Sequence, residues 1–252
     1  MPALGLGVYQ LPKGTATVQS VRWALEAGYR HIDTAGFYGN EAEVGEAIRA
    51  SGVPRSEIFV TTKLWPTNFF RAEVAFQKSR TALGLDYIDL YLLHFPSPLW
   101  KNHAWKQLET IYARGEAHAI GVSNYSIKQL ADLQKIAQVK PMVNQVEFSP
   151  FLYQKELLDY CTSQQIQLEA YSPLTRGKRL DDGTINELAK KYQKSPAQIM
   201  IRWSLQHGLV VIPKSSHQER IQENGRVFDF ELQKEDMKKM DALNQNYRAL
   251  FR

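Results

Sequence analysis

The chain has 252 residues, 44% of them hydrophobic, enough to bury a substantial core as one barrel-sized domain or two smaller ones. Its formal net charge is +5, but the basic residues are interleaved with acids along the whole sequence, so the basic block of a nucleic-acid-binding arm is missing. A single cysteine, Cys161, cannot form an internal disulfide, no charged-then-apolar leader opens the sequence, and apolar runs such as "IDLYLLHFP" meet charge or proline within about ten residues. These features argue against secretion and membrane insertion and lead us to expect a cytoplasmic protein.

In chain order, apolar, β-branched or aromatic segments alternate with amphipathic stretches of helical period. A strand over 4–9 is followed by a helix over 17–27 that Gly28 ends, and a strand over 29–33 by a helix over 41–51 with Asn40 placed to cap it. Strand 58–64 leads to helix 71–83, closed by Gly84; strand 88–95 leads to helix 102–114, closed by Gly115. Strand 117–123 precedes a helix over 127–136 with Ser126 at its cap, and strand 141–148 a helix over 155–163. Strand 166–172 is paired with one long helix over 184–206, ended by Gly208, and strand 209–215 with a helix over 217–224. Eight strand–helix units without a proline- or serine-rich linker predict a single-domain (β/α)8 TIM barrel over 1–252, with its active site at the C-terminal ends of the strands. A doubly wound sheet is the alternative, since Gly5, Gly7 and Asp33 resemble part of a dinucleotide fingerprint; the third glycine is absent and the next helix starts too late.

In such a barrel the strand C-termini converge on one face. The second predicted strand ends on Asp33, the third carries Lys63 and the fourth His94, with Tyr38 on the loop after the second. A lysine ammonium beside a phenol favours the phenolate, so Lys63, held by Asp33, is expected to lower the Tyr38 pKa and make it a proton donor to a carbonyl oxygen that a neutral His94 orients. Taken singly, these residues also have structural explanations: an ion pair, an interior histidine, a loop aromatic. At equivalent strand ends they form a catalytic constellation. A metal centre is not expected, because the six histidines are scattered with no i,i+4 pair, and no Gly-x-Ser-x-Gly elbow supports a serine hydrolase.

The other strand ends suit a flat, phosphorylated ligand. Ser123 and Asn124 follow the fifth strand, and Asn144 and Gln145 of the sixth form an amide pair that suits a carboxamide. Tyr171, with Ser172 beside it, offers an aromatic face. Lys214, Ser215 and Ser216 lead into a helix N-terminus with Arg220 one turn inside, a phosphate-binding arrangement at the barrel's last loop.

The segments "GYRHIDTAGFYGNE", "VTTKLW", "DLYLLHFP", "AIGVSNY", "NQVEFSP", "AYSPL" and "IPKSSHQERIQENGRVFDFEL", in this order over nearly the whole chain, resemble the aldo-keto reductase family, in particular its bacterial short-loop members similar to 2,5-diketo-D-gluconate reductase. The resemblance implies NADP(H)-dependent reduction of aldehydes and ketones without a metal, by a tetrad of Asp33, Tyr38, Lys63 and His94. It also implies cofactor contacts from Thr34, Ser123, Asn124, Gln145, Tyr171, Ser172 and Leu174, with Tyr171 stacking on the nicotinamide, and from Lys214, Ser215, Ser216, Arg220, Glu223 and Asn224 at the adenosine end. Two cations there favour NADP over NAD. Substrate would meet Tyr9, Phe37, Tyr38, Trp65, His94 and Phe95, with Trp100 near the rim.

Four departures from the family pattern are visible: no β-hairpin before the first strand, a short segment after His94 with Phe95 where tryptophan is frequent, Ser149 where histidine is common, and no long C-terminal tail. The short segment and the missing tail imply an open pocket with broad range on small or aromatic carbonyls. The partners expected are the small-molecule carbonyl substrate alone, with no nucleic acid and no membrane, and the chain is expected to be a monomer. Two other functions fit the same residues: an NADP-binding relative without turnover, and a barrel isomerase or lyase holding a phosphorylated sugar at the last loop.

Overall fold

The alternation of side chains along each strand decides the architecture, because a parallel strand covered by helices outside and packed inside must satisfy both faces. The computed structural model describes residues 1–250. Among them, eight strands run in sequence order in one parallel sheet: β1 (Leu6–Gly7), β2 (His31–Asp33), β3 (Phe59–Leu64), β4 (Leu90–Leu93), β5 (Ile120–Ser123), β6 (Val143–Glu147), β7 (Gln167–Tyr171) and β8 (Val210–Ile212). The barrel closes where Leu4 bridges Val211 in parallel, with Gly5 N donating to Val211 O at 2.9 Å and Gly7 N to Pro213 O at 3.1 Å.

Helices α1 (Thr15–Glu26), α2 (Glu41–Ala50), α3 (Ala72–Leu83), α4 (Lys101–Ala113), α5 (Ile127–Gln134), α6 (Lys155–Ser163), α7 (Gly183–Tyr192), α8 (Pro196–Gln206), α9 (Gln218–Gly225) and α10 (Lys234–Asp241) surround the sheet. The main core lies between strands and helices, where Ile32, Val60, Leu64, Tyr91, Leu93, Val122, Val146 and Ala170 meet helix residues such as Val44, Phe76, Trp105 and Trp203. Each valine, leucine, isoleucine or phenylalanine among them taken out of water contributes about 1.5–3 kcal/mol. A smaller cluster of Leu90, Leu92 and Val143 fills part of the barrel interior. The alternate positions on β2, β3, β6 and β7 are polar: His31, Asp33, Thr61, Lys63, Gln145 and Glu169 are all buried. Glycine is required where α2 crosses α3, since a Cβ on Gly45 would stand 1.9 Å from the Leu83 carbonyl oxygen.

The barrel and its eight units are those expected, with three corrections. The long helix predicted over 184–206 is two helices: Gln193 adopts a left-handed φ of 54°, and Ser195 caps a new helix with Pro196 at its first position. Proline has no N–H to continue α7, and Ser195 with Gln198 forms a reciprocal capping box. Asn40 stands at the N-cap position of α2 but its side chain makes no capping hydrogen bond; its amide donates to Val8 O (3.0 Å) and Leu11 O (3.4 Å), tying the first loop to the second. Helix α10 has no counterpart among the predicted elements, because only Asp236 and Met240 are buried within it and its apolar stripe is thin. The Ser126 cap is present as a capping box.

Candidate active site

Strand β2 ends on Asp33, and the chain then turns through a 3-10 turn at Gly36–Tyr38 that folds the Tyr38 ring back over the barrel mouth. The next strand in sequence, β3, lies beside β2 in the sheet and brings up Lys63. Its ammonium directs one N–H to each of three oxygens: Asp33 Oδ1 at 2.7 Å, Thr34 O at 2.8 Å and Tyr38 OH at 3.2 Å. All three donors are thereby engaged, so the Tyr38 oxygen is an acceptor toward Lys63 and its own hydrogen is free for a group in the cavity. His94, directly after β4, packs edge-on to Tyr38 with ring centroids 5.5 Å apart and donates no hydrogen bond through its buried Nδ1.

Burial and the Lys63 charge hold His94 at about 2, so it is a neutral imidazole throughout the working range. Tyr38 behaves opposite to the sequence expectation. Burial, and after it the Asp33 carboxylate, push its phenol well above the ordinary value, and the ammonium does not reverse this. The consequence is a phenol that remains protonated at every working pH. Lys63 acts when the proton leaves, because the ammonium then faces a phenolate instead of a phenol.

A cavity of about 890 Å³ opens over these residues and runs to the N-terminus of α9. This is the upper range for small-molecule and cofactor sites. Every sequence-predicted site residue lines it except Lys63, Thr34, Asn144 and Trp100; Asn144 is committed elsewhere, its Nδ2 donating to Tyr125 O at 2.9 Å. Lys63 lies behind Tyr38, and Thr34 is buried with its hydroxyl donating to Asn40 Oδ1 at 3.0 Å, so only its carbonyl serves the site. Trp100 stands outside the lining, 60% exposed at the start of α4.

At the mouth, Phe37 stacks on Trp65 with centroids 3.9 Å apart, and Trp65 meets His94 and Phe95 edge-on. Deeper in, Tyr171 OH donates to Asn124 Oδ1 (2.8 Å), and Asn124 Nδ2 donates to His94 O (3.1 Å) and Ser123 Oγ (3.0 Å). Gln145 Nε2 is likewise committed, to Asp33 Oδ2 at 2.8 Å and Glu169 Oε2 at 2.9 Å. Gln145 therefore turns its carbonyl oxygen to the cavity, an acceptor matched to the NH2 of a carboxamide.

At the far end, Lys214 and Arg220 are the cations expected there, and Ser215 Oγ shapes the turn by accepting from His217 N at 3.1 Å. Burial and the neighbouring Arg176 lower the Lys214 pKa. Lining residues that sequence reasoning missed include Gln10, Arg176, Leu180, Ser195, Ala197 and Leu250. Arg176 reaches across the cavity edge to Gln10 Oε1 at 2.7 Å. Ser195 and Ala197 arrive through the break between α7 and α8, and the Ser-Pro-x-Gln cap at that break was readable. Leu250 arrives because Glu147, at the end of β6, accepts from the backbone N–H groups of Ala249 and Leu250.

No cluster of three or more potential metal ligands occurs among the described residues. None of their helices is long and apolar enough to cross a membrane.

Comparison with known proteins gives one answer. The model of the aldo/keto reductase family matches residues 3–245. A glyoxal reductase of Bacillus subtilis is 50% identical over 251 residues, covering 99% of this chain and 91% of that protein. A 9,11-endoperoxide prostaglandin H2 reductase of Trypanosoma cruzi is 49% identical, over 98% of this chain and 89% of its own length. Among solved structures, an aldo-keto reductase from a Medee basin deep-sea metagenome library superposes with a TM-score of 0.94 at 46% identity, covering 98% and 93% of the two chains. A Bombyx mori aldo-keto reductase in complex with NADP has a TM-score of 0.93 at 38% identity, covering 100% of this chain and 92% of its own.

Proposed function

This chain belongs to the aldo/keto reductase family of NADP(H)-dependent oxidoreductases, and on that premise we propose that it reduces small or aromatic aldehydes and ketones to alcohols, with Tyr38 as the proton donor. The observation that carries the reading is the saturated ammonium of Lys63, which leaves the Tyr38 hydrogen free, with no hydrogen bond to Asp33 or His94 engaging it.

Bound NADPH supplies the hydride. The residues present fit that cofactor: Gln145 offers a carboxamide acceptor, Tyr171 an aromatic wall, and Lys214, Ser215, Ser216, Arg220, Glu223 and Asn224 line the cavity end where a helix N-terminus and two cations attract phosphate. Ser123, Ser172 and Leu174 line the stretch between. Tyr38 protonates the carbonyl oxygen, and Lys63 stabilises the phenolate this leaves. Asp33 holds the ammonium in place. Neutral His94 orients the carbonyl without competing for the proton.

The mouth formed by Tyr9, Phe37, Trp65 and Phe95 presents ring faces and few directional donors. Such walls discriminate weakly by shape. Broad range on small or flat carbonyls follows, and the likeness to a glyoxal reductase makes dicarbonyls the first class to try. The same reading takes the enzyme as a cytoplasmic monomer with no nucleic-acid or membrane partner; a sedimentation mass of 28.9 kDa is expected.

The test is oxidation of NADPH and NADH by the purified protein with methylglyoxal, diacetyl, nitrobenzaldehyde and simple aldehydes. NADPH-dependent turnover is expected with several of them. NADPH binding without turnover on the panel would point to a non-catalytic relative, and no binding to an isomerase or lyase of a phosphorylated sugar.

A further inference from the structure

Two ionisable residues in the barrel interior take no part in the chemistry above. Glu169 on β7 and His31 on β2 are fully buried and neither lines the cavity. Glu169 stands in register with Gln145 of β6 and Val210 of β8. The Gln145 amide nitrogen gives one hydrogen to Glu169 Oε2 (2.9 Å) and the other to Asp33 Oδ2 (2.8 Å), so one primary amide bridges two buried carboxyl groups. Glu169 Oε1 has no hydrogen-bond partner. His31 Nε2 lies 3.6 Å from it, beyond hydrogen-bond distance, and is engaged at 3.0 Å with Thr61 Oγ1.

The titratable groups facing Glu169 are Asp33 and His31 from β2 and Lys63 from β3, with Tyr38 beyond the ammonium; β6 contributes neutral Gln145 and β8 apolar Val210. His31 is kept neutral by burial, at about 3. Two carboxyl groups therefore share a single ammonium, and Lys63 bonds directly to Asp33 at 2.7 Å and not to Glu169. A second buried anion without a cation is unfavourable, so the proton of the pair resides on Glu169. Burial and the Asp33 charge raise Glu169 to about 8.

We propose that Glu169 is a positioning residue of the reductase: as a neutral acid it fixes the Gln145 amide against Asp33, and its ionisation places a second negative charge behind Lys63 and Tyr38 that opposes proton donation. The proposal rests on the carbonyl-reductase reading. The sign follows from the chemistry: proton transfer develops negative charge on the phenol oxygen, and an added anion behind it raises that barrier. With only the Glu169-protonated form active and a value near 8, turnover at pH 9 is about tenfold below that at pH 7.

The experiment measures kcat for NADPH-dependent carbonyl reduction at saturating cofactor from pH 6 to 10 in wild type and Glu169→Gln, which keeps an acceptor for Gln145 but cannot ionise. Saturation removes the effect of Lys214 on cofactor affinity. The wild type should show the tenfold loss, and the variant a ratio between its own pH 7 and pH 9 rates near one. Independently of turnover, infrared difference spectra of the free wild-type protein should show a buried protonated carboxyl that titrates in the same range and is missing from Glu169→Gln. The proposal is overturned if the variant retains the tenfold loss, or if wild type lacks that carboxyl band. Absence of NADPH-dependent turnover in wild type overturns the reductase reading itself, and this role with it.

Discussion

Replacing Tyr38 by phenylalanine removes one oxygen and leaves the ring, whose packing against Tyr9 (4.9 Å between centroids) and His94 (5.5 Å) does not involve that atom. The ammonium of Lys63 loses one of three acceptors, at 3.2 Å, while its 2.7 and 2.8 Å bonds to Asp33 Oδ1 and Thr34 O remain. Because Lys63 is buried behind the ring and outside the cavity lining, the freed N–H is left without an acceptor, and the stability cost is about 1–3 kcal/mol. The kinetic cost is larger. A positioned general acid is worth about a hundredfold to ten-thousandfold, or about 2.7–5.4 kcal/mol of barrier at 1.36 kcal/mol per decade. The cofactor contacts assigned above lie on other residues, so the Kd for NADPH should change by less than about threefold. Steady-state NADPH oxidation measures kcat and quenching of protein fluorescence measures Kd. A Tyr38→Phe enzyme that turns over within about tenfold of wild type at saturating cofactor would refute the assignment of the proton to Tyr38.

Arg220→Ala should weaken NADPH by about tenfold to a hundredfold, the range of a lost charge-assisted phosphate contact, while NADH changes less than about threefold; equal losses in fluorescence titration would remove the 2′-phosphate from this end of the cavity. Acid stability should report His31. Its folded value of about 3 lies below the ordinary 6.5, so its contribution is fully present above 6.5 and is lost as pH falls toward 3. Chemical denaturation between about pH 4 and 6 should therefore show a slope reduced by about 1.4 kcal/mol per pH unit in His31→Gln, and an unchanged slope would contradict a buried neutral imidazole. Gly45→Ala should destabilise by about 1–3 kcal/mol in urea despite alanine's better helix propensity, because the new methyl meets the Leu83 carbonyl at 1.9 Å; a stabilised variant would mean that α2 and α3 separate freely.

The gap between the two levels is best seen residue by residue. Asp33, Tyr38, Lys63 and His94 were legible because a parallel barrel sends all strand ends to one face, so strand order alone makes them neighbours. Glu169 and Gln145 sit one behind the other on adjacent strands, yet nothing in "LEAYS" or "NQVEF" tells which carboxyl the amide bridges; that depends on register, Gln145 opposite Glu169. Arg176 and Gln10 are separated by 166 positions and meet where both backbones turn through positive φ, 57° and 61°.

The sequence by itself determined the order and type of the barrel strands, the meeting of Asp33, Tyr38, Lys63 and His94 at one barrel end and the cations at the far end of the cavity, since each follows from periodicity, capping and convergence of strand ends. The break at Ser195 and Pro196 was also within reach, because the cap and the missing N–H are local properties. Tertiary structure alone decided the charge states. The Tyr38 pKa was expected to fall beside an ammonium and instead rises, because burial and the Asp33 carboxylate act on the phenol more strongly than its local partner. Proximity along the chain reveals which groups can meet, whereas desolvation is a property of the closed barrel around them, and it is desolvation that sets where the protons reside.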